Sequence, residues 1–139
     1  MSAGKRRSTS IAISLSVIIV IAALAVAIWL SIPKGFDTDL SKIGNGQPAL
    51  VFVYERDLLA SARQTEEMNR QRAALEEQVQ LLIADTGHPA ARELMARHQV
   101  EAITFLLFDA RGSLVSTWPG PTDAAELRRL IEAARPELR

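Results

Sequence analysis

From Ile11 to Ile32 the chain reads IAISLSVIIVIAALAVAIWLSI, without one charged residue. As a helix these residues, about 22 of them, span about 33 Å, against a hydrocarbon core of about 30 Å. Backbone can cross lipid only when it bonds to itself, so the run is expected to form a transmembrane helix. Its serines, Ser14, Ser16 and Ser31, can return their hydroxyl protons to helix carbonyls. Trp29 sits near the far end, where an amphipathic ring prefers the interface. Lys5, Arg6 and Arg7 precede the run, and Lys34 follows it close to Asp37 and Asp39. The bias of positive charge to the cytoplasmic side places the N-terminus inside and the rest outside. A cleaved signal sequence ending at Ala25-Val26-Ala27 is the competing reading. The apolar run continues past that point through Ile28, Trp29 and Leu30, which favours an uncleaved anchor.

The remaining residues carry nearly all the charge. Lys plus Arg and Asp plus Glu are both 16, a net charge of zero, which gives no basic surface for nucleic acid. There is no cysteine. Structural disulfides, thiol redox chemistry and cysteine–zinc sites are therefore excluded for this chain.

After a polar linker (residues 33–47), with one short turn expected near Asp39–Ile43, Ala49–Tyr54 (ALVFVY) is a continuous apolar run suited to a central strand. Leu58 to Glu77 reads as one helix, with Leu58, Ala62, Thr65, Met68 and Leu75 as its inner stripe and Arg72 as an interruption. Its mixed charges, such as Glu66 and Arg70, read as a solvated face. Val79–Ala84 is a second strand. Pro89 opens a helix to about His98, with His88 at the cap position and Ala91, Leu94, Met95 and His98 on one face. Ile103–Phe108 is a third strand, and Ser113–Thr117 returns from it as a hairpin. Asp123 and Glu126 begin a last helix whose Leu127, Leu130, Ile131 and Ala134 form a regular apolar face. The first two strands, joined by a helix, should be parallel and the last two antiparallel. The fold class expected is α/β, a mixed sheet of about four strands flanked by helices.

From Pro48 to Ala134 the order of elements resembles the thioredoxin-like fold family. The residues carrying the likeness are Ala84-Asp85, His88-Pro89, Leu94, His98, Val100, Thr104 to Asp109 and Gly112, followed by Trp118-Pro119-Gly120 before the capped last helix. Thioredoxins place Cys-x-x-Cys at the start of the helix after the first central strand. The resemblance puts Leu59, Ala60, Ser61 and Ala62 there, followed by Arg63. It puts Val53 at the position of the family's buried carboxylate, and Ile103-Thr104 where the family has a cis-proline. A cis bond before a residue other than proline costs about 3–4 kcal/mol, so the Ile103 peptide is expected to be trans.

Disulfide exchange needs an attacking thiolate, a resolving thiol and a proton carrier, and all three are missing. Ser61 has no histidine near it in sequence to activate it and reads as a helix-start serine. His88 and His98 stand at opposite ends of one helix, about 15 Å apart, too far to share a metal. No phosphate loop, metal set or cofactor motif is present in the sequence. The resemblance and the apolar run together point to a non-enzymatic domain (48–136, with a 137–139 tail) outside the cytoplasm, on a bacterial inner membrane. It would bind or position a partner protein through Leu58, Arg63, Glu101 and the Glu101–Thr104 segment. The alternative is an accessory subunit of a membrane complex whose transmembrane helix makes the main contact.

Overall fold

A computed structural model describes residues 4–31 and 35–139, with the side chains of the first helix given from Leu15 onward. Pro33, Lys34 and the side chains of Lys5, Arg6 and Arg7 lie outside the described residues. The chain divides into two compact units, Met1–Gly35 and Phe36–Arg139.

The first unit is one helix, α1 (Gly4–Ser31, 28 residues). Among its described side chains, from Leu15 on, there is no polar stripe: Leu15, Val17 to Ile21, Leu24, Val26 and Ile28 to Leu30 are all exposed. Ser31 donates its hydroxyl to the Ala27 carbonyl at 2.7 Å, as expected for a helical serine. Among the described residues no helix is long and apolar enough to cross a membrane. The side chains of α1 are described only from Leu15, whereas the apolar run of the sequence begins at Ile11.

The second unit is built on a four-stranded mixed sheet in the order β2-β1-β3-β4. Its strands are β1 (Ala49–Tyr54), β2 (Gln80–Asp85), β3 (Thr104–Phe108) and β4 (Leu114–Pro119). β1 pairs parallel with β2 and antiparallel with β3, and β3 pairs antiparallel with β4. The three apolar runs thus lie side by side in one sheet, as the resemblance implies. β1 reads as an unbroken apolar run because both its faces are covered. Leu50 and Phe52 face one cluster with Leu81, Ile83, Phe105 and Leu107. Ala49, Val51 and Val53 face the other with Leu82, Ala84, Leu106 and Phe108.

The first face is covered by α2 (Leu59–Arg70), α3 (Arg72–Glu76) and α5 (Ala124–Ala134), the second by α4 (Pro89–His98). On α4, Pro89 is the first helical residue, Ala91 and Leu94 are buried, and the His98 ring meets Phe108 edge-on at 5.4 Å. On α5, the Asp123 side chain accepts from the Glu126 amide, and Leu127 and Ile131 point into the core.

Five expectations need correction. The helix over Leu58–Glu77 is two helices, broken at Gln71. Its buried residues are Ser61, Gln64, Met68 and Leu75, not the stripe through Leu58, Ala62 and Thr65. Arg72 is not a break in that stripe but half-buried, its guanidinium 4.0 Å from the centre of the Phe36 ring. The segment read as a linker is part of the domain from Phe36 on. The Ile83 amide donates to the Asp37 carbonyl at 2.8 Å, and Gln80 Nε2 donates to the carbonyls of Lys42 and Gln47. This covers the outer edge of β2, an edge that would otherwise offer unpaired backbone. The tail also docks: Leu138 is buried and its carbonyl accepts from the Ala110 amide. Finally, His88 stands at the cap of α4 without a side-chain capping bond, and the preceding turn is tied instead by Asp85, whose carboxylate accepts from the Gly87 amide at 2.9 Å.

Candidate partner-binding surface

The residues singled out from the sequence gather at one end of the sheet, where β1 and β2 finish and β3 begins. In open α/β sheets the crevice beyond the carboxyl ends of the parallel strands is where ligands usually sit. After Tyr54 the chain turns through Glu55–Leu58 and enters α2, the Leu58 amide donating to the Glu55 carbonyl at 3.2 Å. Leu58 occupies the N-cap with no side-chain capping bond, so the first turn of α2 is not sealed by its own sequence.

Leu58 and Leu59 project outward, 42% and 67% exposed. Among the described residues of this unit, Leu114 is the remaining large apolar side chain that is exposed. Ala62 and Arg63 are exposed on the next turn, and Glu101 is exposed ahead of β3. Ser61 points the other way. It is fully buried, and its Oγ accepts from the Glu55 amide at 3.0 Å. A hydroxyl committed to a backbone amide in the core is a structural brace, not a nucleophile in reach of substrate. Val53, at the place of the carboxylate, is fully buried among apolar side chains.

Ile103 brings an unforeseen feature. The peptide before it is trans, since the one cis bond among the described residues joins Gly120 to Pro121. Yet its φ is +59°, in the left-handed region that β-branched residues avoid. Both its backbone groups are engaged: its amide donates to the Val53 carbonyl at 2.8 Å, and its carbonyl accepts from the Gly120 amide at 2.7 Å. Gly120 lies so close that a Cβ there would stand 3.0 Å from Ile103 Cγ2 and 3.1 Å from its carbonyl oxygen. A side chain at 120 would press on Ile103, which would have to give by a few tenths of an ångström.

Sequence reasoning missed Gln64. It is 2% exposed, and with Ser61 it makes up the buried polar side chains among the described residues. Its Nε2 donates to the Thr122 carbonyl at 2.9 Å, and its Oε1 accepts from the Thr122 amide at 2.7 Å. A glutamine in a charged helix carries no sign of which face it occupies, and its partner is 58 residues away.

Beside this surface, Glu55, Arg56, Asp57, Asp85, Thr86, His88 and Arg92 line an open cleft of about 730 Å³. The Gly87 amide, then Arg56 at 3.1 Å and His88, hold the Asp85 carboxyl below the usual aspartate range, against the opposing pull of desolvation. The Thr86 hydroxyl donates to Glu55 at 2.7 Å, and Arg92 donates to the carbonyls of Thr86 and Gly87. The polar groups of the cleft bond mainly to one another. Among the described residues no cluster of histidines and carboxylates could hold a metal ion.

This order of strands, with a helix following β1 and a proline-led helix following β2, can be set against known proteins. No protein-family model matches the chain, and no curated protein matches it. Solved structures do. An uncharacterized thioredoxin-like protein from Clostridium perfringens is 11% identical, with a TM-score of 0.62 over 69% of this chain and 77% of that one. A thioredoxin from Thermus thermophilus is 14% identical, with a TM-score of 0.59 over 74% and 88%. A thioredoxin-fold protein from Helicobacter pylori is 13% identical, with a TM-score of 0.59 over 67% and 71%. The fold is thioredoxin-like. Such identities carry the architecture and nothing of activity or partner. With no cysteine in the chain, this thioredoxin-like domain has no thiol to exchange.

Proposed function

We propose that this is a single-pass membrane protein whose thioredoxin-like domain acts outside the cytoplasm as a non-enzymatic binding or assembly module. The observation that carries the binding role is the pair Leu58 and Leu59, exposed on the first turn of α2 where the relatives' redox motif would stand. Adjacent exposed apolar side chains, unlike singly scattered ones, favour a contact site. The groups beneath them, Ser61 and Val53, are buried and inert. A surface kept while its chemistry is absent favours attachment over catalysis.

Support for the anchor comes from the sequence and from the helix it forms. The uncharged run Ile11–Ile32 would span about 33 Å as a helix, and the side chains of α1 described from Leu15 on leave no polar face for water. Lys5, Arg6 and Arg7 before the apolar run favour a cytoplasmic N-terminus, on the inner membrane of a bacterium. Protease added to spheroplasts should then degrade the C-terminal domain; protection of that domain overturns the orientation.

The binding role is tested in the full chain by exchanging Ile11–Ile32 for an unrelated anchor of equal length and recovering cross-linked partners. Recovery should survive the exchange and be lost when Leu58 and Leu59 are both changed to Asp. Loss on exchange of the anchor would transfer the contact to the helix, the accessory-subunit reading. An insulin-reduction assay with dithiothreitol should run at the rate of the reagent alone; faster turnover overturns the non-enzymatic reading.

A further inference from the structure

Ile103 is the strained point of the candidate surface. A β-branched residue with positive φ is strained and persists only where its surroundings over-determine it. On one side the Val53 carbonyl holds its amide, within the rigid centre of the sheet. On the other side its carbonyl is held by Gly120, which belongs to the connection between β4 and α5. Two residues on, that connection is fixed by the two hydrogen bonds between Thr122 and Gln64, one donated by each. Gln64 in turn sits one helical turn after Ser61, which ties the start of α2 to Glu55. Thus a buried side chain on α2 reaches Ile103 through Thr122 and Gly120, without touching the outer surface.

We infer that Gln64 is a positioning residue: by clamping Thr122 it holds Gly120 against Ile103 and keeps Ile103 left-handed, so that it shapes a surface it does not belong to. The functional meaning rests on the binding role proposed above, but the physical linkage does not, and its test needs no partner.

The test is a double-mutant cycle on the full chain in detergent, with Gln64→Leu, Ile103→Gly and the pair, read by denaturant unfolding. Glycine accepts positive φ without strain. The Ile103 side chain packs against the core, so Ile103→Gly loses packing in either background, but it also relieves strain while Gln64 holds the turn. The change in folding constant on Ile103→Gly should therefore be severalfold more favourable with Gln64 present than after Gln64→Leu, where the turn is free to relax. Equal fold-changes in the two backgrounds, to within about twofold, overturn the inference.

Should Gln64→Leu fail to fold, Gln64→Glu supplies the answer through pH. A protonated carboxyl can accept from the Thr122 amide and donate to its carbonyl as glutamine does. Ionised, it has no donor and sets a charge against that carbonyl. The amide resonances of Thr122 and Ile103 should then move together with the titration of the introduced carboxyl, and neither should do so in the parent. Movement of Thr122 with Ile103 unaffected overturns the linkage. Failure of partner recovery, with this linkage intact, would instead count against the binding role alone.

Discussion

α2 and α5 cover the same face of the sheet and hold it by different means. α5 turns Ala124, Leu127 and Ile131 inward, a face of aliphatic side chains under a helix sealed at its start by Asp123. α2 turns Ser61, Gln64 and Met68 inward and starts on Leu58 without a side-chain cap. Each fully buried leucine or isoleucine on α5 contributes about 1.5–3 kcal/mol through removal from water. Ser61 and Gln64 contribute little of that kind. Their bonds go to the backbone of Glu55 and Thr122, in the two loops that flank the candidate surface. One helix supplies cohesion, and the other gives up cohesion to fix loop geometry.

The largest effect that follows from this contrast lies on α5. Leu127→Ala should cost about 2–5 kcal/mol of unfolding free energy in urea, because the sheet beneath and the helix above cannot collapse into the space. Were the loss below about 1 kcal/mol, α5 would not be the cohesive partner. On α2, Ser61→Ala should cost less, about 1–2 kcal/mol, since it removes the acceptor of the Glu55 amide but little volume. Its distinguishing sign is local: hydrogen exchange should accelerate at Glu55 more than in α5. Uniform acceleration would mean that Ser61 is only core filling. Asp123→Ala, which removes the cap bond to the Glu126 amide, should cost about 1 kcal/mol and fray α5 from its first turn. An unchanged first turn would mean the cap is dispensable.

The same contrast decides what could be read from the residues alone. β1, β2 and β3 are legible because buried strands are apolar throughout, and α5 because Leu127, Ile131 and Ala134 repeat at helical spacing. α4 is legible from Pro89 and its apolar face. The inner face of α2 is not, because hydropathy cannot distinguish a buried glutamine with two backbone partners from a solvated one. The packed segment after Phe36 reads as a linker for a related reason. Asp37 is held to Ile83 through backbone groups, and Gln80 reaches the Lys42 and Gln47 carbonyls, none of which leaves an apolar period. Ile103 is the hardest case. Residue type argues against positive φ there, and only the two backbone bonds to Val53 and Gly120 impose it. At the candidate site the exposure of Arg63 and Glu101 is legible in their charge, whereas Leu58 also reads as part of an inner stripe, and the clamp beneath them depends on a contact 58 residues long.

The smallest expected effect tests whether α2 has given up stability at its N-terminus for the sake of an exposed leucine. Leu58 has the extended backbone of an N-cap residue, φ −101° and ψ 117°, yet its side chain can accept no hydrogen bond. Serine at that position could accept from an amide of the first turn, as Asp123 does on α5. Leucine contributes little to the fold here, because its side chain is substantially in water. Leu58→Ser should therefore raise the unfolding free energy by about 0.5 kcal/mol while lowering recovery of the cross-linked partner. The opposed signs are the point. A gain in stability with undiminished recovery would remove Leu58 from the contact surface. A loss of stability would show that Leu58 packs as part of the core, and the division of labour between the two helices would have to be redrawn.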